Sequence, residues 1–308
     1  MQNAGFVNAH THLELGPLAD LLPTAQPFTE WVLELIRRRS GLDTLAYQQA
    51  IEAAIAMLIA AGTVAVGDIS STGLSVEPLL RSGLAGVVYL EVLGFDPEQA
   101  LPRLAARQRE IDVWRQQEGR MRIGLSVHAP YSCAPALFEA AATWCRAEAV
   151  PLAIHVAESP EEVAFLQDKS GPMAALNARF TPHVVWNAPG CSPIQYLEQL
   201  GVLAARPVLI HGVQVDAPDL ALIKASGAML VHCPRSNERL MCGRMPLERY
   251  LELGIPLALG TDSLASAPSL DVRDELEFAR RLHAGLVAER DLLELATVGG
   301  LQVLGIAG

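Results

Sequence analysis

Apolar positions fall in short unbroken runs, each followed by a longer stretch in which they recur every three or four residues. The runs are "GFVNAHTH" (5–12), "TVAVGDI" (63–69), "AGVVYLEVLG" (85–94), "RIGLSVHAP" (122–130), "PLAIHVAES" (151–159), "PVLIHGVQV" (207–215), "AMLVHCPRSN" (228–237) and "PLALGTDS" (256–263). Continuous apolar runs predict parallel strands covered on both faces. The stretches between them, such as "TLAYQQAIEAAIAMLIAAG" (44–62) and "ALFEAAATWCRAEAV" (136–150), carry helical periodicity. Glycine and proline punctuate the joins. Eight such units in 308 residues predict an α/β fold, a (β/α)8 barrel of the TIM type, as one domain over 1–308. An open doubly wound sheet is the alternative, but no GxGxxG follows the first strand. Two connections, 13–30 and 160–205, exceed what a plain joint needs. Long loops at a barrel mouth commonly shape the pocket.

Composition narrows the function classes. The chain is 51% hydrophobic, which suffices for a large core, yet no apolar stretch of membrane-spanning length is free of charges and breakers. No secretory leader pattern opens it, and no membrane partner is expected. The net charge of −11 argues against nucleic acid as a partner, since that needs a basic face. A small nucleoside substrate is compatible with it. Five cysteines, an odd number without a CxxC pair, predict reduced, structural thiols and a cytoplasmic location.

The candidate chemistry lies in the histidines. Six of the eight fall at or near proposed strand ends: His10, His12, His128, His155, His211 and His232; His183 and His283 do not. A barrel gathers its strand ends around one mouth. His10 and His12, one residue apart on a strand, point the same way. With His155 and the acid of "GTDS", Asp262, they make a three-histidine, one-carboxylate set suited to a divalent metal. Glu158, three residues beyond His155, is placed to shuttle protons. His211 is placed to orient a water or polarise the substrate, and His128 to lie on the substrate side. His232 stays open between a site role and a structural one.

The ordered set "NAHTHLE", "HAPYSC", "HVAES", "LIHGV", "HCPRSN" and "GTDS" resembles the amidohydrolase superfamily, in particular its deaminase and chlorohydrolase branch, over residues 8 to 263. Within that branch, "YLEQLGVLAARPVLIH", "CPRSNERLMCG" and "LGTDSLASAPSLDVRDELEFARRL" are most similar to aminodeoxyfutalosine deaminases of the Deinococcus type. The resemblance implies conversion of 6-amino-6-deoxyfutalosine to futalosine and ammonia, in menaquinone biosynthesis. Relatives that act on adenosine, S-adenosylhomocysteine, methylthioadenosine or triazine-like rings use similar motifs and stay open as alternatives, as does, more remotely, a non-catalytic barrel scaffold. Binuclear members of the superfamily carry a carboxylated lysine or a glutamate at the end of the fourth strand; "RIGLSVHAP" has neither, and Lys169 and Lys224, the only lysines, lie off the proposed strands. One divalent metal per chain is therefore expected, zinc first, with iron and manganese as options.

The expected mechanism makes Glu158, His211 and Asp262 catalytic and His10, His12, His155 and Asp262 metal ligands. The expected substrate contacts are His128, Arg235, Ser236, Asn237, Glu14, Trp31 and Glu91. Arg235 is the expected partner of a substrate carboxylate. The resemblance also implies a small β-sandwich built from segments before the first strand and after the eighth unit; with four residues before the first strand, a barrel without that domain, or a truncated chain, is expected. The barrel surface so uncovered is expected to favour a homo-oligomer or to weaken stability.

Overall fold

The computed structural model describes residues 5–19, 21–22 and 26–306. Residues 20 and 23–25 of the first long connection, and 1–4 and 307–308 at the ends, lie outside the described residues. Eight parallel strands form one sheet in sequential order: β1 Phe6–Thr11, β2 Thr63–Ser70, β3 Ala85–Val92, β4 Met121–Val127, β5 Leu152–Val156, β6 Val208–His211, β7 Met229–His232 and β8 Leu257–Leu259. All eight proposed strands are present, and the architecture is a (β/α)8 barrel with no second sheet among the described residues.

The barrel closes between β8 and β1 by side chains as much as by backbone. Asn8 donates Nδ2–H to Thr261 Oγ1 at 2.8 Å and accepts the Thr261 N–H at 3.0 Å. The Asp262 N–H then donates to the His10 carbonyl at 3.0 Å. Asn8, inside the opening apolar run, thus locks the strand bearing His10 to the segment bearing Asp262.

Three apolar layers follow from burial on both strand faces. Small and branched residues such as Val7, Ala65, Val87, Ala153 and Ile210 fill the barrel interior. A larger layer, with Ile51, Leu58, Leu137 and Ile223, lies between strands and helices. A third covers the mouth, built from the two long connections and Phe28, Trp31, Tyr131, Phe165 and Leu240. The segment 160–205 is largely helical, with helices Pro160–Asp168, Gly171–Phe180 and Pro193–Gln199, the first and last capped by Ser159 and Ser192.

The strands stop short of the proposed runs because the backbone turns at the mouth. His211 has φ 77° and Gly212 φ 57°, which end β6 four residues before 215. "PRSN" starts a helix, Pro234–Arg239, where proline suits the first turn.

Candidate active site

The mouth is where these turns aim the side chains. His211 and Asp262 (φ 60°) both sit in the left-handed region that non-glycine residues rarely occupy. Such strain persists where surrounding structure over-determines it, and it recurs at functional positions.

His10, His12 and His155 offer ligand atoms within 4.8 Å of one another, as do His10, His211 and Asp262. Asp262 Oδ1 lies 3.5 Å from His10 Nε2 and 3.6 Å from His12 Nε2, and His12 Nε2 lies 3.2 Å from His155 Nε2. Asp262 Oδ2 is turned the other way, accepting from Ser236 Oγ at 2.6 Å and Ser266 Oγ at 2.9 Å. His155 Nδ1 is bonded to the His128 carbonyl at 3.1 Å, which puts its proton there and leaves Nε2 as a donor atom. His10 Nε2 is buried with no hydrogen-bond partner. An orphaned imidazole nitrogen among two more and a carboxylate fits a divalent cation, since buried polar atoms otherwise find partners.

The electrostatics agree with this fit. Burial, helped by His10, pushes His12 down to about 3, and burial together with the neighbouring histidines holds His155 well below the usual range. Both rings are neutral near pH 7, the state that ligation requires. Burial opposes ionisation of Asp262, but the neighbouring imidazoles of His10, His12 and His211 outweigh it and hold its carboxyl well below the usual range.

Beside these four, His211 Nε2 lies 3.3 Å from Glu158 Oε1. Asn237 Oδ1 accepts from His211 Nδ1 at 3.1 Å. The Glu158 and Ala157 N–H groups are both taken by Glu162, which anchors the turn after β5. Glu158 is buried, and burial, reinforced by Asp262, raises its pKa well above the usual carboxylate range. Burial lowers His211 to about 4. A carboxyl whose acid form is favoured by burial therefore faces a neutral imidazole next to the ligand cluster.

A cavity of about 510 Å³ opens onto these groups. His12, His155, Glu158, His211 and Asp262 line it, together with apolar wall residues including Phe28, Trp31, Tyr131 and Leu176. Of the expected substrate contacts, Trp31, Glu91 and His128 line this cavity. Ser236 and Asn237 do not; they stand behind Asp262 and His211 and hold them. Two further expected contacts also lie off the cavity, which makes four corrections in all. Arg235 is turned away from the cavity: its guanidinium bonds Glu275 at 2.5 Å and the Ser269 carbonyl at 2.9 Å. The helix begun by Pro234 rotates it there. Glu14 is buried under the mouth, where its carboxylate accepts from Ser70, Ser71 and Thr72 and so ties the first connection to the end of β2. His232 pairs with His283 Nε2 at 3.2 Å, deep in the protein, a structural pair.

Sequence reasoning missed Arg39, Arg103, Asn177 and His183, which also line the cavity. None lies near a strand end. Arg39 terminates the helix Phe28–Arg39 beyond the first long connection, and His183 reaches Asp96 at 3.0 Å from the second. The length of the second connection pointed toward Asn177 and His183; no signal pointed to Arg39 or to Arg103, on the helix Pro97–Trp114.

Gly260 marks how tightly the site is built. A Cβ there would stand 2.7 Å from His10 Cβ and 2.9 Å from the His10 backbone nitrogen. Gly260→Ala is therefore expected to displace His10 and weaken metal binding by about 10- to 100-fold, the range seen when a ligand's support is disturbed. Metal titration of the apo-protein measures it.

Comparison with known proteins places this geometry. The amidohydrolase family model matches residues 3–308. The chain is 38% identical to the aminodeoxyfutalosine deaminase of Deinococcus radiodurans over 308 residues, covering 97% of this chain and 72% of that protein. It is 30% identical to the 5-methylthioadenosine/S-adenosylhomocysteine deaminase of Thermococcus onnurineus, covering 98% and 69%. Its fold superposes with TM-score 0.85 on the Helicobacter pylori aminofutalosine deaminase in complex with methylthio-coformycin, at 26% identity over 98% of this chain and 74% of that one.

Proposed function

The chain belongs to the amidohydrolase family, and on that premise we propose that it is a metal-dependent hydrolytic deaminase of an aminated purine nucleoside, converting 6-amino-6-deoxyfutalosine to futalosine and ammonia. It is a hydrolase acting on C–N bonds. The observation that carries the reading is the buried Glu158, 3.3 Å from His211 Nε2, beside a four-donor ligand set at one cavity. The substrate follows the relative in Deinococcus, and with it a place in menaquinone biosynthesis. A second reading, deamination of S-adenosylhomocysteine or methylthioadenosine, is favoured by the relative in Thermococcus. The five free, buried cysteines accord with a reducing cytoplasm.

His10, His12, His155 and Asp262 would hold the metal, with zinc the first choice for this donor set. When bound, the metal supplies Lewis acidity, which makes hydroxide available from water near neutral pH. The side chains do the rest. Glu158 gives its proton to the ring nitrogen beside the amine-bearing carbon, which makes that carbon electrophilic. Asp262, with Oδ2 held by Ser236 and Ser266, takes up the proton released as water adds. His211, with its Nδ1–H donated to Asn237, presents an unprotonated Nε2 that accepts from the attacking water and holds it in position. Glu158 and Asp262 then relay protons to the leaving ammonia.

β4 offers neither lysine nor glutamate to bridge a second ion. Metal analysis is expected to find one tightly held ion per chain; two would contradict a mononuclear site. Ammonia release from aminodeoxyfutalosine, adenosine, S-adenosylhomocysteine and methylthioadenosine, measured side by side, tests the substrate. Aminodeoxyfutalosine is expected to show the highest kcat/KM, and a higher value for another nucleoside would move the assignment to it.

A further inference from the structure

Glu91, at the end of β3, is buried at 6% exposure, and its Oε1 has no hydrogen-bond partner. It lines the wall of the cavity, and Arg107 Nε holds its backbone carbonyl at 2.9 Å, so the strand end is fixed. A Glu91 carboxylate oxygen and ring nitrogens of His128 and His155 all lie within 4.8 Å of one another. His155 has no nitrogen to spare: Nδ1 is bonded to the His128 carbonyl, and Nε2 belongs to the ligand set 3.2 Å from His12. Glu91 and His128 are left facing one point.

Both offer acceptors there. His128 Nδ1 lies 2.6 Å from Ser132 Oγ, whose own hydroxyl is donated to the Ala129 carbonyl at 3.1 Å. That puts the His128 proton on Nδ1 and leaves Nε2 as an acceptor. A buried carboxylate oxygen without a donor calls for one from a ligand. Two acceptors a few ångströms apart match two neighbouring hydroxyls, each donating to one of them. Glu158 and His211 follow β5 and β6, and Glu91 and His128 stand at the ends of β3 and β4 on the wall of the same cavity. On this geometry, and resting on the proposed deamination, we infer that Glu91 and His128 form a subsite for the vicinal diol of a ribosyl group, with Glu91 setting the preference for ribosides over deoxy analogues.

The test uses the metal-loaded enzyme with adenosine, 2′-deoxyadenosine and 3′-deoxyadenosine, in wild type and Glu91→Gln, an isosteric change whose folding is checked by metal content. Wild type is expected to favour adenosine by roughly 10- to 100-fold in kcat/KM, the range for a hydrogen bond to a charged group. Glu91→Gln is expected to bring adenosine down to the level of the one analogue that lacks the hydroxyl paired with Glu91, so that the loss is smallest on that analogue. An equal loss on all three nucleosides, or no loss on any, overturns the inference. So does release of a second metal equivalent from Glu91→Gln, which would make the pair a cation site. Binding of inosine and its two deoxy forms, measured by calorimetry, is a separate arm that needs no turnover. If no nucleoside releases ammonia, the proposed function fails, and this arm still decides Glu91: tighter inosine binding that is lost in Glu91→Gln supports the subsite, and equal affinities overturn it.

Discussion

Glu158→Gln is expected to lower ammonia release by at least about 10³-fold while the metal stays bound, because positioned acid–base groups contribute on the order of 10²–10⁴ and this one both donates and relays protons. Glutamine keeps the shape and a hydrogen bond to His211 Nε2, 3.3 Å from the present Oε1, but has no proton to release. The ligand cluster draws on His10, His12, His155 and Asp262, so metal content should not change. Burial and the charge of Asp262 keep the Glu158 carboxyl protonated above the usual carboxylate range. Its folded pKa is raised, so the acid form it supplies is present at lower pH and is lost as pH rises through that pKa. Glu158→Gln should therefore also remove the alkaline limb of kcat that this group contributes. Full activity in the variant would take Glu158 out of the mechanism.

His10→Ala is expected to abolish both metal binding and activity. His10 Nε2 is a buried nitrogen with no partner inside the protein and lies 3.5 Å from Asp262 Oδ1. Removing it leaves three donors and a void, where the intact set has four. Because a metal that binds only the folded state raises stability by mass action, wild type should melt at higher temperature as zinc is added. His10→Ala should show little such response. Elemental analysis and a thermal melt with and without zinc measure this pair of effects. Stoichiometric metal retained in the variant would contradict its role as a ligand.

The barrel was legible because parallel strands buried on both faces leave unbroken apolar runs, and all eight runs became strands. Where they ended was not legible. His211 and Asp262 turn through positive φ, and nothing in "LIHGV" or "GTDS" marks a left-handed backbone at a non-glycine position. The convergence of His10, His12, His155, His211 and Asp262 followed from barrel geometry alone, since strand ends share one mouth. Residues on helices and loops were harder. Arg235, next to the strand-end histidine, reads as a mouth residue, but one turn of helix sends it to Glu275. Glu14, two residues after His12, lies beyond the strand, where the short helix Leu13–Leu18 replaces alternation, and it ties down β2. Arg39 and His183 reach the cavity through tertiary packing of connections whose paths no local pattern specifies. The roles of Asn8 and Asn237, the latter expected as a substrate contact, were hidden for another reason: they hold the ligand-bearing segment and His211, and a single asparagine has no sequence signature for that.

The most direct test of metal-dependent deamination is the ammonia released from aminodeoxyfutalosine by one preparation, assayed as purified, after removal of its metal with a chelator, and after a divalent metal is returned. Release of one ammonia per substrate consumed, lost on stripping and restored with the metal, is the expected result. No ammonia from the loaded protein, or a rate that stripping leaves unchanged, would contradict it.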